Sequence, residues 1–244
     1  LPDVAALAAC PEDRLLKLWE GLGYYNRVRN LQKAAQVMME EYAGELPADY
    51  EKLLKLPGIG SYTAGAVASI ACQIPVPAVD GNVLRVIARV CCMEEDVLKQ
   101  SVKRQVEEKI QGVIPGDRPG AYNQALMELG AMVCVPNGPA KCNECPLQEL
   151  CMARREGKIS ELPKKASKKP RKIEERTVLV IRDGERAAIR KRPSKGLLAG
   201  LYELPNLSGS LDADQVLETL KTWAMNAMRF QILGSAKHIF SHVE

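Results

Sequence analysis

Four clustered cysteines and one acidic residue behind a glycine turn are the parts of this sequence best able to do chemistry. Cys134, Cys142, Cys145 and Cys151 form the pattern Cys-x7-Cys-x2-Cys-x5-Cys. A structural zinc usually draws its ligands as paired Cys-x-x-Cys knuckles, and only one such pair is present. A compact, unequally spaced quartet suits a 4Fe–4S cubane held by four thiolates. A zinc site and a bare cysteine cluster are the alternatives. Clustering of this kind points to a metal centre in a reducing compartment more than to disulfides. The remaining cysteines, Cys10, Cys72, Cys91 and Cys92, lie scattered on apolar helical patterns and read as small core residues.

The acidic residue is Asp80, in Val79-Asp80-Gly81-Asn82. It follows the stretch Leu56-Pro57-Gly58-Ile59-Gly60-Ser61-Tyr62-Thr63-Ala64-Gly65. Apolar residues at helical spacing from Tyr50 to Leu56, and a small apolar run from Ala64 to Ala71, predict two helices joined by a tight turn. Pro57 stops the first helix, and Gly58 and Gly60 permit positive φ. Such a turn leaves backbone N–H groups at the start of the second helix facing outward, an anion site suited to one backbone phosphate. It can hold nucleic acid but cannot read its sequence. The plain alternative is a helical hairpin whose glycines only allow close packing. Asp80 likewise has a plain reading as a helix N-cap, with Asn82 supporting the same turn; cap and chemistry can coexist.

The elements that must position these groups are mostly helical. Asp3–Cys10 is a short amphipathic turn. Pro11 suits the first position of a helix over Glu12–Glu20, which Gly21-Leu22-Gly23 ends. Tyr24-Tyr25-Asn26-Arg27-Val28-Arg29-Asn30 then leads into a long helix to Tyr42. Further helices are expected over Val83–Cys92, Leu98–Ile114 and Ala121–Cys134. Two aromatics and two arginines at the Tyr24 turn are either packing with a solvated face or a wedge, an aromatic pushed between bases while arginines hold phosphates. From Gly157 to Thr177 the chain turns polar and basic around Pro163 and Pro170, a linker unable to bury a core. Val178–Ile181 and Ala187–Ile189, around Asp183-Gly184, predict a β-hairpin.

The length allows one large or two modest domains, each with a real core. The chain has 244 residues, 46% hydrophobic and 26% charged, with a net charge of +4. A mild positive balance permits a nucleic-acid partner without requiring one. No stretch approaches the length of a membrane-spanning helix. The chain opens on Leu1, inside a helix-forming pattern, so a truncated start is expected and targeting signals are unread.

These segments together resemble one family. Leu56–Gly65 is similar to the helix-hairpin-helix of the endonuclease III superfamily of DNA glycosylases, in which an Asp serving the chemistry follows the hairpin as Asp80 does here. Leu22 to Asn30 resembles the Leu-Gly-Tyr-Tyr-x-Arg-x-Arg-Asn segment of adenine DNA glycosylases of the MutY type, whose first Tyr wedges into the duplex; that maps onto Tyr24. The superfamily's cysteine gaps are six, two and five, so this chain carries one extra residue, in a loop (Val135–Lys141) rich enough in Pro and Gly to absorb it. Lys191 to Pro205 resembles the start of a Nudix-like fold, but the helix that follows offers only Glu218 beside aspartates, not the paired glutamates that hold a metal.

The resemblance implies a mostly α fold. Residues 1–156 would be a helix-hairpin-helix glycosylase domain with an iron–sulfur loop at 134–151, 157–177 a basic linker, and 178–244 a partial α/β Nudix-like domain. It implies a monofunctional base-excision enzyme that hydrolyses the N-glycosidic bond of adenine mispaired with 8-oxoguanine or guanine, after flipping the base. Asp80 would stabilise the sugar cation. Tyr62 stands where strand-cutting relatives carry a Schiff-base lysine. Gln124 would face the flipped adenine, Gly58 and Gly60 would hold phosphate, and Phe240, Ser241 and His242 would recognise 8-oxoguanine. The family's general acid is a Glu well before Leu22, and no residue here corresponds to it. The chain as given is therefore expected to be truncated at both ends and inactive. The expected partner is double-stranded DNA, with no membrane, a monomeric state and a bacterial cytoplasmic setting. The alternatives are a catalytically silent damage-binding fragment, an endonuclease III-like enzyme for oxidised pyrimidines, and an iron–sulfur electron carrier; the last leaves the hairpin and Asp80 unused.

Overall fold

Each predicted helix forms, and its boundaries follow from the residues at its ends. The computed structural model describes residues 1–167, 170–240 and 243–244. It divides into two units, Leu1–Ser167 and Lys168–Glu244. In the first, α1 (Val4–Ala8) is capped by Asp3, whose carboxylate accepts from Ala6 N at 2.7 Å. Pro11 is the N-cap of α2 (Glu12–Leu18) rather than its first helical residue. The long α3 (Asn26–Glu41) packs on α1, and Gln32 Nε2 reaches the carbonyls of Leu7 (3.1 Å) and Cys10 (2.6 Å) at the end of that short helix.

Next come α4 (Tyr50–Lys55) and α5 (Ser61–Cys72), the two arms of the hairpin. They pack with α3 around Ala34, Met38, Leu53, Leu56, Ala64 and Ala68. Small residues on α5 let its neighbours approach closely. A second core joins α6 (Gly81–Val90), α7 (Gln100–Gln111) and α8 (Pro119–Glu128) through Val83, Val86, Val102, Val106, Ile110 and Leu126. Burying each such side chain contributes about 1.5–3 kcal/mol. Past Glu128, α8 widens into a π-helical turn at Leu129–Val133, which ends at Cys134.

The polar stretch after the cysteines is not all tether. A short α9 (Met152–Arg155) leads to Leu162, which is buried with Cys151 and Ala153. Glu94 accepts from Lys158 Nζ at 2.7 Å and Lys164 Nζ at 3.2 Å, and these two bonds hold its carboxyl below the usual range. Val97 N donates to Lys164 O at 3.1 Å. Residues 158–164 are thereby fixed to the segment between α6 and α7, which a composition-based reading of a solvated linker did not foresee.

In the second unit the expected hairpin is present but shorter. β2 (Arg182–Asp183) pairs antiparallel with β3 (Arg186–Ala187) around Gly184, while β1 (Arg176–Val178) leaves that ladder and pairs with β6 (Asn206–Ser208). β4 (Arg190–Lys191) pairs with β5 (Tyr202–Glu203). Pairing is decided by burial: Leu179 packs on Val216 and Leu220 of α10 (Ala213–Thr222), with Ile181 and Leu207 beside them. A capping box between Asp212 and Gln215 starts α10. Among the described residues, no helix is long and apolar enough to cross a membrane.

Candidate active site and nucleic-acid interface

The hairpin turn is built on two glycines with different duties. Gly58 has φ +78°, and a Cβ there would lie 2.5 Å from Asn30 Cβ on α3. Gly58 is therefore required both by its backbone and by its neighbour. Gly60 is the N-cap of α5, with ordinary extended backbone (φ −95°) and no side-chain cap. A Cβ on Gly60 would meet nothing within 4 Å. The face it would occupy is open, as an anion approaching the first N–H groups of α5 would need. Tyr62 is the second residue of α5 and is half-exposed beside this opening.

Behind the opening, α5 carries the loop that ends in Asp80. Gly65 lies directly against it: a Cβ on Gly65 would fall 2.0 Å from Pro77 O. The same loop is held from the other side by Asn123 of α8, which is fully buried. Asn123 Oδ1 accepts from Ala78 N (3.1 Å), while Nδ2 donates to Val76 O (2.9 Å) and Ser69 Oγ (2.8 Å). Asp80 then caps α6. Its Oδ1 accepts from Asn82 N and Val83 N, both at 2.8 Å, and its Oδ2 accepts from Asn82 Nδ2 at 2.9 Å. Asp80 is thus an N-cap, as its plain reading has it, and its half-buried carboxylate is also fixed in orientation by three donors.

Two arginines of α6 run from this carboxylate to the cysteines. Arg85 Nη2 donates to Asn82 Oδ1 (2.8 Å) and Gly130 O (2.7 Å), and its Nε donates to Cys134 O (2.7 Å). The π-helical turn brings Gly130 against Asn82, where a Cβ would fall 2.6 Å from Asn82 Cβ. Burial pulls the Arg85 guanidinium below the usual arginine value, and Cys134 and Asp80 act against that shift. Arg89 Nη1 donates to Cys134 Sγ and Val135 O, each at 3.2 Å, and its Nε donates to Leu162 O at 2.9 Å. All four clustered cysteines line one small cavity walled by Val86, Leu129 and Leu147. Burial pushes the Cys145 thiol up, and the other three cysteines add to that. Four cysteines gathered in an apolar cavity fit the cationic core of an iron–sulfur cluster, which would offset the mutual repulsion of their thiolates.

Tyr24 stands elsewhere on the first unit, exposed, with φ +48°, a conformation uncommon for a large side chain. The Arg27 guanidinium lies 4.7 Å from its ring centroid, covering one face. Gln124 is exposed on α8, and its amide donates to Gly120 O of its own helix (3.3 Å). In the second unit Phe240 packs on His238, with ring centroids 4.4 Å apart. Ser241 and His242 lie outside the described residues. Asp80 and Asn82 are bonded to each other at the start of α6, and Tyr62 stands separately at the start of α5; the sequence reading passed over Arg85, Arg89 and the role of Asn123. The signal for the arginines was available: two arginines four apart inside the apolar run Val83–Val90 must be buried with partners.

Comparisons with known proteins agree with this arrangement. Residues 1–112 match the HhH-GPD superfamily of base excision DNA repair proteins, and residues 177–244 match the NUDIX domain. The rat adenine DNA glycosylase is 35% identical over the whole chain, and the human one is also 35% identical. The chain spans 57% of the rat protein and 54% of the human protein, little more than half of either. The adenine DNA glycosylase of Buchnera aphidicola subsp. Schizaphis graminum is 32% identical, across 99% of this chain and 69% of its own length. Among solved structures, an endonuclease III in a non-covalent complex with DNA is 31% identical, with a TM-score of 0.55, covering 64% of this chain and 72% of that one. A thermostable thymine-DNA glycosylase is 26% identical with the same TM-score. With 32% identity across 99% of this chain and 69% of the Buchnera protein, and with the family match of its helical part, the chain belongs to the adenine DNA glycosylase family of the HhH-GPD superfamily.

Proposed function

We propose that the protein is a monofunctional DNA glycosylase that hydrolyses adenine from duplex DNA where it is mispaired with 8-oxoguanine or guanine. The observation that carries this reading is the shared use of α5. Its N-terminus is open to a phosphate, and its interior glycine, Gly65, seats the loop that presents Asp80. On this reading one helix both meets the phosphate of a bound strand and seats the loop that carries the carboxylate. Asp80 stabilises positive charge as it develops on that sugar, and Asn82 and Arg85 hold the carboxylate in place. Adenine is a poor leaving group, so a second carboxyl must donate a proton to it. Tyr24 wedges into the stack, Gln124 reads the extruded adenine, and the segment Phe240, Ser241 and His242 selects 8-oxoguanine. Tyr62 supplies no amine, so no Schiff base forms with the sugar and the strand is not cut.

Expressed from its full reading frame, the protein should turn adenine opposite 8-oxoguanine into an abasic site, seen as strand breakage only after alkali. A duplex carrying an oxidised pyrimidine opposite guanine should stay intact. Breakage without alkali, with the enzyme trapped on DNA by borohydride, would favour an endonuclease III-like reaction instead.

The cavity supports a 4Fe–4S cluster held by Cys134, Cys142, Cys145 and Cys151. When bound, the cluster shapes the loop that carries it. Among the described residues no group of three His, Cys, Asp or Glu side chains is set to hold one metal ion. Thiolates of a cubane each bind a different iron and stand further apart than the ligands of one zinc. Anaerobically purified protein should hold about four irons and four sulfides per chain. Cys142→Ser should lose the cluster and weaken duplex binding. Stoichiometric zinc without iron in a native preparation would overturn the assignment.

A further inference from the structure

The open N-terminus of α5 has a charged neighbour that works against its ligand. Glu107 of α7 is half-buried, and its Oε1 accepts from Ser61 Oγ at 3.0 Å. Ser61 is the first residue of α5, next to Gly60. Glu107 also reaches the start of the other hairpin arm: burial raises the Tyr50 phenol, and the Glu107 charge raises it further. The carboxylate thus sits at the first residue of α5, beside the opening. A hydroxyl has a single proton to donate. While Ser61 gives it to Glu107, only the oxygen lone pairs of Ser61 face an incoming phosphate. The carboxylate itself repels a second anion placed there.

We propose that Glu107 is an internal competitor of the phosphate at the hairpin, weakening the grip on undamaged duplex so that the protein can release it. This rests on the reading of the hairpin as a phosphate clamp. When a phosphate seats at α5, the Ser61 hydroxyl turns from Glu107 to the phosphate, and the remaining repulsion limits how long the strand is held. The effect acts on every sequence alike, because a backbone phosphate carries no base information.

The test is equilibrium binding to an undamaged duplex at several salt concentrations, using Glu107→Gln, Glu107→Ala and Gly60→Ala, with thermal melts to show that each variant folds. Glu107→Gln keeps an acceptor for Ser61 and removes only the charge. It should tighten binding by about fivefold at low salt. The gain should shrink as salt screens the repulsion. Glu107→Ala also frees the hydroxyl and should tighten binding at least as much. Unchanged or weaker binding by Glu107→Gln, or a gain indifferent to salt, would make Glu107 a packing brace and overturn the proposal. Gly60→Ala reports on the clamp separately: its Cβ enters the open face and should weaken binding to all sequences. If Gly60→Ala binds as the wild type does, the clamp reading fails and this proposal with it. If Gly60→Ala weakens binding and Glu107→Gln changes nothing, the clamp stands and the competitor alone falls.

Discussion

Asp80→Asn should reduce adenine release by about a thousandfold or more while leaving mismatch binding and stability nearly intact. Asn serves as an N-cap about as well as Asp does, so Asn82 N and Val83 N keep their acceptor. The second oxygen becomes an amide facing the Asn82 side-chain amide, which must turn; the cost is about 1 kcal/mol. What Asn cannot supply is negative charge beside a sugar that becomes cationic only in the transition state. Charge stabilisation of that kind lowers the barrier without tightening the ground-state complex. Single-turnover release from an adenine:8-oxoguanine duplex, using protein from the full reading frame, separates the two roles of Asp80. Release within tenfold of wild type would leave Asp80 as a helix cap and nothing more.

The contrast between Asp80 and its supports shows which parts of the site were legible in sequence. The hairpin could be read because its signals are local: a stopped helix, two glycines and a run of small residues all lie within Leu56–Ala71. The Asp80 cap was equally local, since an N-cap bonds to residues two and three positions ahead. The cysteine quartet was visible through spacing alone. Arg85 was legible only in part: its place inside the apolar run Val83–Val90 marks it as buried, but its partners Gly130 and Cys134 lie more than forty residues away and no local pattern names them. The π-helical turn was equally hidden. It depends on Gly130 fitting against Asn82, a contact between α6 and the end of α8 that no periodicity encodes. In the second unit, alternation located strands, but which strands pair was set by packing of Leu179 on α10. Composition marked 157–177 as tether, yet the buried side chain of Leu162 and the ion pairs of Lys158 and Lys164 fix its first part. Local rules picked out the candidate groups; the long-range hydrogen bonds that position them had to be seen.

Asn123 is where such aiming is concentrated, and Asn123→Leu should expose it. Leucine shares the branching and heavy-atom count of asparagine but is larger, so the site must shift to admit it, at a cost of about 1–3 kcal/mol. The polar losses add to that. Ala78 N, Val76 O and Ser69 Oγ would each lose a partner in a buried setting. Orphaned groups of this kind cost about 1–3 kcal/mol each, and partial relaxation brings the expected total to about 3–5 kcal/mol. Against a typical stability of about 5–15 kcal/mol, the variant should still fold at low temperature, with a clearly lowered urea midpoint. Asn123→Asp should not rescue it, because its carboxylate can accept from Ala78 N but would set an oxygen against Val76 O. The functional consequence should be uneven. Asp80 follows the released loop by two residues, so adenine release should fall sharply. The phosphate clamp at Gly60 lies at the other end of α5, so binding to undamaged duplex should change little. A stability loss below about 1 kcal/mol would mean that Gly65 packing alone holds the loop. Equal losses of release and duplex binding would mean that α5 itself had moved, and the separation between clamp and carboxylate would not hold.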